Sequence, residues 1–135
     1  MPAEKILIVH YDPRSLERHR KTLEENGFEV HEARDGAAAL SSLVEHEPDL
    51  VLIEAMLPKI SGFEVCCDLK KTRRGKQTPI VVMTTVYKGR KYRNDAIHTY
   101  GADDYLELPL DDAQFIAALR RSLGGGAISG VEKGA

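Results

Sequence analysis

Three short runs of aliphatic residues constrain the fold of this chain more than any other feature. They are KILIV (5–9), DLVLIE (49–54) and PIVVMT (79–84), and almost every position in them is apolar. Continuous apolar runs of this length are typical of strands in a parallel sheet that is covered on both faces. Two further strand-like segments, FEVHEA (28–33) and DYLEL (104–108), bring the predicted number of strands to five.

Helical patterns of apolar residues separate these strands. The residues that mark the helices are Leu16 and Leu23, then Leu40, Leu43 and Val44, then Phe63, Cys66 and Leu69, and finally Phe115, Ile116, Leu119 and Leu123. A fourth helix, over about 88–100, has the weakest pattern, with Ile97 and Tyr100 as anchors. Polar residues suited to capping precede four of the helices: Asp12 before Pro13, Asp35, Ser61 with Glu64, and Asp111.

Five alternations of strand and helix predict an α/β fold of the flavodoxin-like, doubly wound type. Short connections and right-handed crossovers favour a five-stranded parallel sheet in the order 2-1-3-4-5. In such a sheet, ligands bind at the carboxyl ends of the strands, near the point where the strand order reverses. We therefore expect the functional residues in the segment from His10 to Asp12, at Glu54 and at Thr84.

Composition and charge limit what the chain can be. With 135 residues, 42% of them hydrophobic and 30% charged, it is typical of a globular protein with one domain, which we place at 1–123. The glycine-rich end, 124–135, reads as a flexible tail or linker stub. A formal net charge of -2 gives no overall attraction to nucleic acid, and no signal peptide or membrane-spanning run is evident. We expect a cytoplasmic protein.

Several longer strings, taken together and in order, resemble the receiver domains of response regulators, which have the CheY-like fold. The strings are ILIV..DP, GFEV.EARDG..AL, PDLVLIE..LP.ISGFEV, PIVVMTT and GADDYLELPL. The resemblance extends from Lys5 to Leu123. It implies a module of two-component signalling in which an aspartate after the third strand is phosphorylated. In that family, two acids after the first strand hold Mg²⁺, while a threonine or serine and a lysine contact the phosphoryl group.

Compared with that family pattern, this chain departs at four chemical positions. His10 and Tyr11 stand at the acid pair, Glu54 at the phosphoacceptor and Leu108 at the lysine, while Thr84 matches. A phosphoryl group in transfer needs a metal and a cation to offset its charge, and Mg²⁺ needs hard oxygen ligands. The resemblance thus indicates an atypical or pseudo-receiver that is not an enzyme, uses no cofactor and binds Mg²⁺ weakly or not at all.

Two interpretations of the altered pocket stay open from the sequence. Glu54 either imitates a phosphorylated aspartate by contacting Thr84, or is satisfied by backbone amides of the loop that follows. His10 either forms an ion pair with Glu54, which would raise its pKa, or bonds to nearby backbone, as we favour. The alternatives to a pseudo-receiver are a receiver phosphorylated on Asp12 or Glu54, a metal site made by His10, Asp12 and Glu54, and a nucleic-acid-binding domain.

For output, the resemblance implies a face made by the fourth helix (α4, about 88–100), the fifth strand (β5, 104–108) and the last helix (α5, about 112–123). Tyr105 on β5 either points inward, as in an active receiver, or lies on the surface. A basic cluster near this face comprises Lys88, Arg90, Lys91 and Arg93, and a second one comprises Lys70, Lys71, Arg73, Arg74 and Lys76. We expect a protein partner, or a second copy of the chain bound through this face, rather than nucleic acid or a membrane.

Overall fold

A single parallel sheet of five strands organises the computed structural model, which describes residues 2–124. The strands are β1 Lys5–Val9, β2 Glu29–Ala33, β3 Leu50–Glu54, β4 Ile80–Thr84 and β5 Asp104–Glu107. Their order is β2-β1-β3-β4-β5, and all neighbouring strands run parallel. The predicted fold class and strand order are confirmed.

Helices connect successive strands. Four of them are α1 Pro13–Glu25, α2 Gly36–His46, α3 Gly62–Lys70 and α5 Asp112–Leu123, and α4 is composite. We use α4 for the α-helical segment Arg90–Asn94 together with the π-helical segment Asp95–Thr99 that continues it, and a short helix, Arg73–Gln77, follows α3. Each of the four predicted capping residues accepts a hydrogen bond from the backbone N–H three residues further on, so the helix starts follow from local chemistry.

Alternate residues of the strands feed two hydrophobic cores. On one face of the sheet, Leu7, Ile53 and Val82 belong to a core completed by α2, α3 and α4. On the other face, Ile8 and Leu52 belong to a core completed by α1 and α5. Both faces of β1, β3 and β4 are therefore dry, which explains why these strands are apolar at nearly every position.

The buried side of α2 differs from the one that its apolar residues indicated. Leu43 is fully buried, but Leu40 and Val44 are 43% and 64% exposed. The residues that α2 buries beside Leu43 are Ala39 and Ser42. Small side chains let the helix approach the sheet closely, and this packing outweighs the larger apolar side chains one position away.

The described residues contain no helix long and apolar enough to cross a membrane. Apart from Gly124, the predicted tail 124–135 lies outside the described residues. Cys66 and Cys67 are both free thiols.

Gly62 allows a close contact between α3 and the end of β3. Its N–H donates to the oxygen of Ala55, and a Cβ added here would lie 2.0 Å from the backbone oxygen of Glu54. Because backbone atoms cannot yield as a flexible side chain can, we expect Gly62→Ala to lower the free energy of unfolding by about 3 kcal/mol or more. Urea denaturation measures this change.

Gly36→Ala is the matched control, because Gly36 is also the first residue of its helix. Its added Cβ would lie 3.2 Å from a methyl group of Val65, which can move by a few tenths of an ångström. We expect a change of less than about 1 kcal/mol. Equal losses in the two variants would contradict the assignment of Gly62 as the tight contact.

Candidate functional site

A cavity of about 370 Å³ opens at the carboxyl ends of the strands. It lies between the loop after β1, the ends of β3 and β4, and the loop that joins β5 to α5. Five of the six residues predicted for this site line it, namely His10, Tyr11, Asp12, Glu54 and Leu108. Thr84 does not, and its neighbour Thr85 lines the wall instead.

His10 is buried and its tautomer follows from its contacts. Its Nδ1 accepts a hydrogen bond from the N–H of Asp12 at 3.1 Å, so the ring proton of the neutral imidazole is on Nε2. Nε2 faces Oε1 of Glu54 at 3.5 Å. Burial lowers the pKa of His10, and the nearby Asp12 opposes that effect only in part. The two residues meet as the ion-pair hypothesis required, but its expectation of a raised pKa is wrong, because desolvation favours the neutral ring.

Glu54 ends β3 and is only 6% exposed. Its Oε2 accepts a hydrogen bond from the N–H of Met56 at 2.9 Å. Burial raises the pKa of its carboxyl group, while backbone N–H groups, that of Met56 first among them, act in the opposite direction. The structure places Glu54 against His10 and the loop backbone and gives it no hydrogen bond with Thr84. Of the two interpretations of Glu54, the geometry corresponds to the carboxylate satisfied by backbone.

Thr84 organises the loop between β4 and α4. Its side chain is fully buried, and its Oγ1 accepts hydrogen bonds from the N–H groups of Val86 and Tyr87, both at 2.9 Å. Tyr105 is 2% exposed, and its hydroxyl donates to the backbone oxygen of Tyr87. Its ring stacks on Phe63 with the centroids 6.0 Å apart. Tyr105 therefore points inward, and the contacts that hold it there do not include Glu54.

The environment of Tyr105 keeps its hydroxyl protonated. Burial raises the pKa of Tyr105 to about 12, and the carboxylate of Glu107 acts in the same direction. A neutral phenol can donate its proton to a carbonyl oxygen, as the bond to Tyr87 requires.

The remaining predicted pocket residues have structural partners. Tyr11 is 44% exposed at the mouth of the cavity. Asp12 caps α1, and its Oδ2 accepts hydrogen bonds from the N–H and the hydroxyl of Ser15. Leu108 packs against the core formed by α1 and α5. Its N–H donates to the backbone oxygen of Thr84.

The donor set does not fit Mg²⁺, the metal that the resemblance implies. Mg²⁺ needs several hard oxygen ligands in octahedral geometry, whereas a neutral imidazole and an exposed phenol stand where the family has its acid pair, and Oε2 of Glu54 is already bonded to the backbone. The geometry gives no support to the transition-metal alternative. Nδ1 of His10 and Oδ2 of Asp12 already accept hydrogen bonds from protein groups, and within residues 2–124 no three His, Cys, Asp or Glu side chains are placed to hold a metal ion.

The two basic clusters differ in how far they are neutralised. In the cluster after α3, Lys70 pairs with Asp103, Lys71 with Asp68 and Arg74 with Glu47. In the cluster near α4, Arg93 bonds to the backbone oxygen of Tyr105 and to Asp104. The three other basic residues there are exposed and form no ion pair within the described part of the chain: Lys88, Arg90 and Lys91.

His19, which is not among the residues predicted for the site, lines the cavity from α1. Its ring stacks on Phe115 at 5.5 Å and lies 6.2 Å from the ring of His10. Burial lowers the pKa of His19 to about 4. The available signal was its spacing, because it follows the buried Leu16 by three residues and precedes the buried Leu23 by four.

The fold and the loop arrangement define a receiver-type domain. Residues 6–120 match the response regulator receiver domain family, and the chain belongs to that family. Among its curated relatives, it is 34% identical over 121 residues to the DNA-binding dual master transcriptional regulator RpaA of Synechocystis sp., a match that covers 88% of this chain and 48% of RpaA. It is 36% identical over 120 residues to the response regulator ArlR of Staphylococcus saprophyticus, with 88% of this chain and 52% of ArlR covered.

The chain thus spans about half the length of these relatives. Among solved structures, the signal receiver domain of an HD domain-containing protein from Pseudomonas fluorescens is similar, with a TM-score of 0.82 and 27% identity over 96% of this chain and 93% of that one. The chemotaxis response regulator CheY4 of Vibrio cholerae gives a TM-score of 0.80 and 25% identity over 89% of this chain and 98% of that one.

The lowered pKa of His19 predicts a specific pH dependence of stability. Its folded-state pKa of about 4 lies below the ordinary value of 6.5, so the unfolded chain takes up the proton first. The stability that depends on neutral His19 is complete above about pH 6.5 and is lost as the pH falls towards 4. Between pH 7 and pH 5, we expect the native protein to lose about 1 to 2 kcal/mol more than His19→Gln, by urea denaturation.

His98→Gln is the control, since His98 is exposed on α4. It should leave the pH dependence of the free energy of unfolding unchanged. Parallel curves for the native protein and His19→Gln would contradict the prediction.

Thr84, rather than Glu54, should hold the loop after β4. Thr84→Val removes the acceptor of two backbone N–H groups, so we expect amide hydrogen exchange at Val86 and Tyr87 to become about 5-fold to 10-fold faster. Glu54→Gln is the control and should leave both rates unchanged. Faster amide exchange at Val86 and Tyr87 in Glu54→Gln as well would contradict this assignment.

Proposed function

We propose that this chain is a receiver-like signalling module that works without phosphorylation. It transmits information through protein contacts in a two-component type of system, and it is not an enzyme. The observation that carries the proposal is the inward Tyr105. Its hydroxyl is bonded to Tyr87 and the loop is tied by Thr84, so chain-internal contacts provide an arrangement that the family reaches through a phosphoryl group.

The replaced chemical residues support the same proposal. Glu54 carries its carboxylate on a longer side chain, His10 is neutral, and Leu108 brings no charge to a phosphate. Transfer to Glu54 would thus lack both the metal and the lysine that offset the charge of the transition state. We accordingly propose that Mg²⁺ binds weakly or not at all.

Output is proposed to pass through the face formed by α4, β5 and α5. A groove on this face is lined by Arg90, Arg93, Tyr105 and Arg121, together with the apolar Leu106 and Leu110. Arg93 bonds to the backbone oxygen of Tyr105 and thereby connects the inward tyrosine to this surface. The exposed guanidinium groups suit a partner protein that presents carboxylates, or a second copy of the chain.

The similarity to a DNA-binding regulator does not extend the proposal to nucleic acid. The match covers 48% of that relative, and the basic residues after α3 are largely paired within this chain. Nucleic-acid binding of the electrostatic kind needs several unpaired cations on one surface.

The proposal predicts that the chain takes up no phosphoryl group. After incubation with acetyl phosphate and Mg²⁺, intact mass spectrometry should show only the unmodified mass. A receiver that retains the aspartate, the acid pair and the lysine serves as the positive control for the phosphodonor. A stoichiometric adduct that disappears in Glu54→Gln or Asp12→Asn would establish the rival, a phosphorylatable receiver with rearranged chemistry.

Charge reversal separates the two basic clusters as contact sites. We expect the double variant Arg90→Glu and Lys91→Glu to weaken binding of a cognate partner by about tenfold or more, because two charge pairs are lost and replaced by repulsion. The matched control is Arg73→Glu with Lys76→Glu, which should leave the affinity unchanged. Sedimentation velocity on the native chain and the two double variants measures self-association through this face. Equal affinities in both double variants would contradict the proposed surface.

A further inference from the structure

The cavity at the carboxyl end of the sheet contains a buried carboxylate oxygen whose one polar contact from the described residues is long. Oε2 of Glu54 is bonded to the N–H of Met56, while Oε1 faces Nε2 of His10 at 3.5 Å, beyond the usual length of a hydrogen bond. The N–H of Ala55, next in the chain, donates to the oxygen of Met83 instead. Because Glu54 is 6% exposed and lines the cavity, this oxygen is available only to a group inside it.

The histidines leave the cavity with an excess of negative charge. Three carboxylates line it, on Asp12, Glu54 and Asp112, against one guanidinium, on Arg18. Burial keeps both imidazoles in their neutral form near pH 7, since it lowers the pKa of His10 and of His19. Arg18 is exposed, so it does not neutralise the interior around Glu54.

Aromatic rings form much of the wall. Tyr11 lies at the mouth with its ring centroid 5.4 Å from that of His10, and His19 stacks on Phe115 further along. Rings attract cations that lie over their faces, and a planar, weakly hydrated guanidinium gains more from such walls than a compact ammonium does. A volume of about 370 Å³ is within the range of small-molecule sites.

We propose that this cavity binds a small guanidinium compound, with the cation on Oε1 of Glu54 and its plane against the aromatic wall. The site uses the space that is left by the family's metal and phosphoryl group, but for a different class of ligand. This proposal is independent of the proposed output face, because ligand binding to the cavity can be measured on this chain without a partner protein. The same group could come from a free metabolite or from an arginine side chain of a partner protein.

Titration of the full chain with butylguanidinium, followed by two-dimensional ¹H–¹⁵N NMR, tests the proposal. We expect saturable shifts confined to the residues around the cavity, with a dissociation constant on the order of 1 mM or lower. Butylurea has the same shape without the charge, and it should bind at least about tenfold more weakly. No saturation with butylguanidinium, or equal affinities for the two compounds, would overturn the proposal.

Two variants locate the site. Glu54→Gln should weaken butylguanidinium binding by about tenfold or more, while Glu25→Gln, which changes an exposed carboxylate at the end of α1, should have no effect. Thr85→Lys adds a cation to the exposed wall of the cavity and should also weaken binding, which provides a test independent of how well Glu54→Gln folds. Unchanged affinity in Glu54→Gln or in Thr85→Lys would overturn the assignment.

Two further titrations identify the source and exclude a metal site. If N-acetyl-arginine amide binds more tightly than butylguanidinium, the cavity is assigned to an arginine side chain of a partner. If it binds more weakly, the cavity is assigned to a free guanidinium compound. Both results support guanidinium recognition. Displacement of butylguanidinium by an equal concentration of Mg²⁺ would contradict it, because a site with a neutral imidazole in place of the acid pair should bind that ion poorly.

Discussion

Burial of the sheet on both faces is the constraint on which the rest of this structure depends. Residues such as Leu7 and Ile8 point to opposite cores, so β1, β3 and β4 carry almost no polar side chains along their length. Parallel strands also end at the same edge, and polar groups are therefore concentrated in the loops at that edge. His10 and Glu54 meet because β1 and β3 end side by side at this edge of the sheet.

Those parts of the fold that depend on local chemistry could be predicted from the sequence. The aliphatic runs specify the strands because dry strands need them, and capping residues such as Asp35 and Ser61 specify where helices begin. The grouping of His10 and Glu54 followed from the topology of a doubly wound sheet. Their separation from the Thr84 hydroxyl did not, because it depends on which way one buried side chain turns.

Features that depend on close packing or on single hydrogen bonds could not be predicted. Leu40 is 43% exposed because α2 turns Ala39 and Leu43 towards the core instead. The neutrality of His10 depends on one backbone N–H, that of Asp12, and on the depth of burial. His19 lies between two arginines, a neighbourhood that resembles a solvated helix face even though the ring is stacked on Phe115.

The two hydrogen bonds of Thr84 also bear on how long a signal lasts. They join residues two and three positions apart, so after any local opening the loop can close again without a long-range search. If the domain works without phosphorylation, as we propose, no hydrolysis step acts as a clock, and the lifetime of a signalling complex equals the residence time of its partner. Signal duration would then be encoded in a dissociation rate at the surface rather than in the chemistry of the pocket.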